Sequence, residues 1–147
     1  MEKVLNDQIV QQINQVFAEI QEPVQVLFFG SKDNCDYCNE ARQLLEEVTA
    51  LNEKIGLSVY DVQENADIAG QFNVTYAPVI VIAAKDNEEV KDLGIQFSGI
   101  PSGHEFSTLI NDILIASKRE SGLDEKTREF LKSLEKPLHL QVFVTPT

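Results

Sequence analysis

The first seventy residues alternate between helical and extended hydrophobic patterns. Apolar side chains recur at three- and four-residue spacing over 3–21, which predicts an amphipathic helix. Residues 24–29 read Val-Gln-Val-Leu-Phe-Phe and favour a central strand covered on both faces. A long helix is predicted from about 36 to 54, a second strand over 57–62 and a short helix over 65–72.

The next segment predicts an antiparallel hairpin followed by a helix. A third strand over 79–84 follows Pro78 directly, and a polar turn leads into a fourth strand over 90–97. The sequence Ser-Gly-His-Glu at 102–105 has the form of a capping box and predicts a helix ending near residue 118. We therefore expect an α/β fold whose central mixed sheet, a parallel βαβ unit followed by the hairpin, is flanked by helices.

The last thirty residues begin a new pattern. Residues 119–136 are polar and charged and predict a connecting helix. Residues 138–144 then form an apolar strand pattern that repeats the pattern of 23–29. A strand without a following helix builds no second core, so we expect 1–118 to be one unit and 137–147 to be the first strand of a truncated second unit. The alternative is that this strand completes the first unit's sheet as an edge.

Charge and composition restrict the partners and the compartment. The formal net charge of −12 over 147 residues argues against nucleic acid or an anionic membrane as a partner, because both reward clustered Lys and Arg. No stretch approaches the ~20 apolar residues of a membrane span, and the N-terminus has no apolar signal core. We therefore expect a cytoplasmic protein, in which a close cysteine pair is more often catalytic or metal-binding than structural.

The chain's two cysteines, Cys35 and Cys38, lie between the first strand and the second helix. A cysteine in the first turn of a helix faces free backbone N–H groups and the positive end of the helix dipole, which favour the thiolate. We therefore predict that Cys35 attacks a substrate disulfide and that Cys38, one turn on, resolves the mixed disulfide. This exchange needs the redox-active pair and no other cofactor.

Two charged neighbours are predicted to tune the pair. Asp36 places a negative charge beside the thiolate, which raises the pKa of Cys35 and predicts a reducing rather than a strongly oxidising couple. Lys32 offsets part of this effect.

A zinc site and an inert buried pair are the alternatives for the two cysteines. A tetrahedral site needs about four ligands, and neither His104 nor His139 is near the pair in sequence, so no metal is expected within one chain, although zinc bridging two chains stays open. An inert pair is less favoured, because the strand–loop–CxxC–helix context exposes the first sulfur.

Pro78 is the second feature that points to chemistry. A proline at the start of an apolar strand removes a ladder hydrogen bond and needs a positional reason. A cis Ala77–Pro78 bond would turn the backbone toward Cys35 and leave Ala77 free to pair with an extended substrate. A trans proline is the alternative that base rates favour, and the upstream CxxC reverses that preference.

From Val24 to Pro101 the chain resembles the thioredoxin and glutaredoxin superfamily, through the strand, the Cys-Asp-Tyr-Cys motif and the Ala-Pro step. It is most similar to the glutaredoxin-like protein disulfide oxidoreductases of archaea and bacteria, in which two fused thioredoxin-fold units each carry a CxxC. Residues 97–106 resemble the end of that family's first unit, and 142–147 resemble the lead-in to the second CxxC. The resemblance implies a thioredoxin-like fold with an extra N-terminal helix, here as the N-terminal unit.

The resemblance also implies roles for individual residues. Pro78 matches the cis proline, and the groove for the substrate disulfide is lined by Tyr37, Ala77, Gly99 and Ile100. One departure is that Phe29 stands where thioredoxin has a buried acid, which leaves the proton acceptor for the resolving thiol unassigned.

The leading hypothesis is a protein disulfide oxidoreductase acting on protein disulfide substrates. The same dithiol also suits an electron-transfer partner that receives electrons from a thioredoxin-reductase-like flavoprotein and passes them to a peroxidase. A non-catalytic thioredoxin-fold binding module is the third hypothesis.

Overall fold

The computed structural model describes residues 3–145 and confirms the α/β, thioredoxin-like fold. One mixed sheet is flanked by helices on both faces. The elements in chain order are α1 (Asp7–Phe17), β1 (Val24–Gly30), α2 (Cys38–Thr49), β2 (Ile55–Asp61), α3 (Ala66–Gln71), β3 (Val79–Asp86), β4 (Glu89–Ser98), α4 (His104–Lys118) and α5 (Glu125–Lys132).

The sheet has the strand order β2-β1-β3-β4. The pair β1–β2 is parallel, and the pairs β1–β3 and β3–β4 are antiparallel, as expected of a βαβ unit followed by a hairpin. All of β1 is buried because each face of the sheet is covered. Val26 and Phe28 pack into the core under α1, α2 and α4, whereas Leu27 and Phe29 pack into a second core that includes the α3 segment.

The first two helices are shorter than the hydrophobic pattern predicts. Helix α1 begins after Asn6, whose side-chain oxygen accepts a hydrogen bond of 2.9 Å from the Ile9 N–H. Helix α2 ends at Thr49 rather than near residue 54, because Asn52 forms a turn in which its side chain accepts from the Lys54 N–H at 2.9 Å. That turn brings the chain directly into β2.

The capping box predicted at 102–105 is wrong. The N-cap of α4 is Gly103, at a φ of 62°, and no side chain caps the helix. Ser102 instead accepts a backbone hydrogen bond from the Glu105 N–H at 3.3 Å through its carbonyl oxygen. The helix itself ends at Lys118, as predicted.

The C-terminal part contains a helix within the segment predicted to be helical but not the predicted strand. Helix α5 lies inside 119–136 and is capped by Asp124, which accepts from the Thr127 N–H at 2.7 Å. Residues 138–144 adopt no strand, either as the start of a new sheet or as an edge of this one, and Phe143 is 88% exposed. A strand forms only by pairing with another, and this segment has no strand partner among residues 3–145.

The division into a unit over 1–118 and a second unit that begins within 137–147 stays a prediction. Pro146 and Thr147, which end the segment similar to a second CxxC lead-in, lie outside the described residues. Within the described part of the chain, no helix has the length and apolar character needed to span a membrane.

Candidate active site

Cys35 and Cys38 form a disulfide at the amino end of α2, with their Cα atoms 5.5 Å apart. Cys38 is the first residue of the helix and is only 8% exposed, whereas Cys35 is half-buried. The helix begins two residues later than predicted, with Tyr37 as N-cap, so Cys35 lies in the preceding loop rather than in the first turn. The more exposed cysteine is therefore the first one, as expected for the attacking residue.

The buried sulfur is held against the end of β1. The Ser31 N–H donates to Cys38 Sγ over 3.4 Å. A Cβ on Gly30 would stand 3.4 Å from the same sulfur and 3.0 Å from the Phe28 ring, so the close approach of strand and helix depends on glycine here. The Gly30 carbonyl accepts from the Val62 N–H at 2.9 Å, which fixes the loop to the end of β2.

Asp61 organises the loop that precedes the cysteines. One carboxylate oxygen accepts from the Lys32 N–H at 2.9 Å, and the other accepts from the N–H groups of Gln63 and Glu64 at 2.9 and 3.0 Å. These backbone donors, those of Glu64 and Gln63 first, lower the pKa of Asp61 below its ordinary value. The ionised carboxylate thus ties the end of β2 to the active-site loop.

The two residues predicted to tune the pair have different surroundings. The Lys32 ammonium forms an ion pair with Glu64 at 2.5 Å, which raises the pKa of the lysine. The Glu64 carboxylate therefore neutralises much of the lysine's charge. Asp36 is exposed in the turn between the cysteines. The electrostatic roles of both residues stay predictions.

The Ala77–Pro78 bond is cis, as predicted. The Pro78 carbonyl accepts from the Gly99 N–H at 2.9 Å, and Gly99 adopts a φ of 97° that favours glycine. Ala77, Ile100 and Cys35 all pack, half-buried, against the core under α2 and α4. The structure thus places Cys35, Ala77 and Ile100 against the same core, and the groove-lining roles predicted for Tyr37, Ala77, Pro78, Gly99 and Ile100 stay predictions.

Aromatic side chains flank this region. Tyr37, predicted to line the groove, is 59% exposed. Tyr76, which the sequence did not single out, is 57% exposed, and its hydroxyl lies 2.7 Å from Ser98 Oγ. The two partners of this bond are 22 residues apart, so no local pattern could have indicated it.

Open clefts adjoin the active-site loop, and Ser31 lines both of those described next. One, of about 430 Å³, is lined by both cysteines together with Arg42 and Glu64. The other, of about 510 Å³, extends from Asn34 to Tyr76 and Ala77. Arg42 in the first cleft is paired with Glu46 at 2.7 Å.

No buried acid lies behind the cysteines in the described part of the chain. Phe29 is fully buried and stacks on Tyr60, with ring centroids 5.4 Å apart. The buried polar side chains among residues 3–145 are Gln25, Thr49 and Ser117, none of which ionises near neutral pH. The same residues contain no group of three or more His, Cys, Asp and Glu side chains arranged to hold a metal ion.

Fold and site together define a thioredoxin-fold domain that carries a CxxC disulfide and a cis proline. A family model described as "Thioredoxin domain" matches residues 23–111. This match covers more than half of the chain, and the chain belongs to the thioredoxin domain family.

Individual relatives match over almost the whole chain. The alkyl hydroperoxide reductase protein AhpF of Staphylococcus epidermidis is 28% identical over 144 residues, which are 98% of this chain and 25% of the relative. AhpF of Staphylococcus aureus is 27% identical over equal shares. The chain therefore spans about a quarter of the length of these curated relatives.

Two solved structures show similar architecture. A protein disulfide oxidoreductase from Aeropyrum pernix superposes with a TM-score of 0.76 at 28% identity, covering 90% of this chain and 57% of that one. The NTD_N/C domain of alkylhydroperoxide reductase AhpF from Enterococcus faecalis also gives 0.76, at 25% identity, covering 90% and 62%.

Proposed function

We propose that this chain is a thiol–disulfide oxidoreductase unit that exchanges electrons with disulfides of partner proteins. The observation that carries the proposal is the Cys35–Cys38 disulfide at the amino end of α2, formed by one half-buried and one buried cysteine. Cys35 is the more exposed residue and is the one open to attack, whereas Cys38 is buried and protected from competing thiols. A reducing compartment such as the cytoplasm would supply the dithiol form.

In the reducing direction the exchange has two steps. The Cys35 thiolate attacks one sulfur of the partner's disulfide, forming a mixed disulfide and releasing the partner's other sulfur as a thiolate, which takes up a proton. Cys38 then loses its proton and attacks the Cys35 sulfur, which releases the partner's second sulfur as a thiolate that takes up a proton in turn. The partner gains two electrons and two protons, and the Cys35–Cys38 disulfide forms.

An electron relay between a flavoprotein and a peroxidase is the second candidate. The observation that favours it is the alignment of 98% of this chain with the AhpF relatives, which are alkyl hydroperoxide reductase proteins. In such a relay the two steps would run in reverse with a reduced flavoprotein dithiol, which reduces the Cys35–Cys38 disulfide and is itself oxidised. They would then run forward with a peroxidase disulfide as acceptor. The relay and general protein disulfide reduction use the same dithiol and differ in the partner.

Catalysis of insulin reduction by dithiothreitol tests the chemistry. Turbidity should develop faster with the wild-type chain than without it, and Cys35→Ser should abolish the acceleration. A wild-type chain that gives no acceleration and whose partner binding survives Cys35→Ser would favour the binding-module hypothesis instead. Hydroperoxide-dependent oxidation of the reduced chain by a thiol peroxidase would distinguish the relay from general disulfide reduction.

A further inference from the structure

We propose that Tyr76 is a specificity-determining residue whose ring forms one wall of a cleft for a side chain of the partner polypeptide. The occupant is a neutral or basic side chain next to the partner's half-cystine. This inference rests on the proposed thiol–disulfide exchange at Cys35.

The first observation is that Tyr76 is exposed yet fixed. Its hydroxyl lies 2.7 Å from the hydroxyl of Ser98, the last residue of β4. Ser98 pairs in the sheet with Val79, the first residue of β3. The bond therefore spans the cis Ala77–Pro78 segment and holds the aromatic ring in place. A ring that is already ordered loses less conformational entropy when a partner binds.

The second observation is the shape of the cleft beside the ring. It extends from Asn34, the residue before Cys35, to Ala77, and small residues of α3, including Gly70, line it. A Cβ added to Gly70 meets no atom within 4 Å, so this part of the lining faces open space. A volume of about 510 Å³ is enough for one side chain of a bound polypeptide.

The charge of the cleft lining determines which partner side chains the cleft accepts. Asp33 is the charged residue that the structure places in this lining, and the remaining residues are polar or apolar. A carboxylate disfavours a second carboxylate nearby and favours a cation. An acidic side chain at the position that enters the cleft is therefore the least accepted.

Two conservative variants remove the hydroxyl bond without removing the ring or the backbone. Tyr76→Phe and Ser98→Ala should each lower kcat/KM for insulin about 3- to 10-fold, mainly through KM, and the double variant should be no worse than either single one. Reduction of bis(2-hydroxyethyl) disulfide, which has no side chain to place in the cleft, should be unchanged. The reduction potential of the cysteine pair should also be unchanged.

Further variants separate the cleft from general stability. Ser133→Ala deletes another exposed hydroxyl bond, of 2.6 Å to the Phe130 carbonyl near the end of α5, and should leave both substrates unaffected. Gly70→Leu places a larger side chain in the cleft and should lower kcat/KM for insulin but not for the small disulfide. With wild type, a peptide disulfide flanked by Lys should react several-fold faster than its Glu counterpart.

Equal losses of activity with insulin and with the small disulfide in Tyr76→Phe would overturn the inference. Unchanged insulin kinetics in both Tyr76→Phe and Ser98→Ala would also overturn it, and so would equal rates for the Lys and Glu peptides. Inactivity of the wild-type chain toward both disulfides would instead refute the proposed function.

Discussion

The backbone N–H of Ser31 and the sulfur of Cys38 are joined by a hydrogen bond of 3.4 Å. An N–H donor stabilises a thiolate more than a thiol, so this contact favours the reactive form of the buried cysteine once the disulfide is reduced. It also fixes the sulfur in position for the resolving step. The attacking and the resolving step therefore use differently placed sulfurs, and single substitutions of the two cysteines can separate the two steps.

Cys38→Ser should trap the mixed disulfide. With the resolving sulfur absent, the Cys35 thiolate still attacks, and the covalent complex with the partner accumulates. Non-reducing electrophoresis and intact mass spectrometry should detect an adduct that dithiothreitol releases. Cys35→Ser should form no adduct under the same conditions, and adduct formation at Cys38 in that variant would reverse the assignment of roles.

Asp36→Asn should make the pair less reducing. Removing the negative charge beside Cys35 stabilises its thiolate, and therefore the dithiol state of the pair. The reduction potential should rise by roughly 10 to 20 mV, since an exposed charge contributes about 0.5–1 kcal/mol. Equilibration against glutathione buffers measures the change.

Two substitutions serve as comparisons for Asp36→Asn. Lys32→Gln should shift the potential less and in the opposite direction, because the lysine is already paired with Glu64 at 2.5 Å. Glu129→Gln, in the exposed face of α5, should not shift it. An unchanged or lower potential in Asp36→Asn would contradict the proposed tuning.

Asp61→Asn should destabilise the chain at neutral pH and much less in acid. The backbone donors lower the pKa of Asp61 from its ordinary 3.8, so the carboxylate contributes stability above that value. The contribution is lost as the pH falls through the lowered pKa of the folded chain. Melting temperatures from circular dichroism should differ between variant and wild type at pH 7 and converge in strong acid.

The control for Asp61→Asn is Glu53→Gln, an exposed carboxyl just before the opposite end of β2. It should not reproduce the difference at pH 7 that disappears in acid. If the difference in melting temperature between Asp61→Asn and wild type grew in acid, the result would contradict a carboxylate stabilised by backbone donors.

Gly56→Ala should cost about 1 kcal/mol of unfolding free energy. A Cβ at this position meets the side-chain amide of Gln25, its parallel neighbour in the sheet. That amide would have to leave its hydrogen bond of 2.9 Å to Ser58 Oγ. Urea unfolding measures the loss. Gly70→Ala is the matched control, since its Cβ meets nothing and it lies in α3, where alanine is the better helix former.

The sheet could be predicted from sequence because its strands carry long apolar runs. The buried residues of β1 and β3 leave little choice of partner strand, and the CxxC and Pro78 are local sequence features whose context favours a thiol–disulfide site. The ends of the helices were less predictable. Gly103 adopts a positive φ, so the Ser-Gly-His-Glu sequence does not cap α4.

Long-range polar contacts could not be predicted from the sequence. Lys32 and Glu64 are 32 residues apart, and Tyr76 and Ser98 are 22 apart, and each pair meets only because the sheet aligns its flanking loops. Residues 138–144 mark a further limit, since an apolar alternating pattern predicts a strand without indicating whether a partner strand is present.

Phe29, packed between Tyr60 and Phe72, has a kinetic consequence. With an aromatic ring in place of an ionisable group, the core formed by residues 3–145 offers no base to the Cys38 thiol, and the proton has to leave toward the open cleft. We expect the resolving step to show general-base catalysis by small weak bases of the medium, such as phosphate, with a rate that rises with their concentration at constant pH. The speed of the dithiol would then depend on the composition of the surrounding solution.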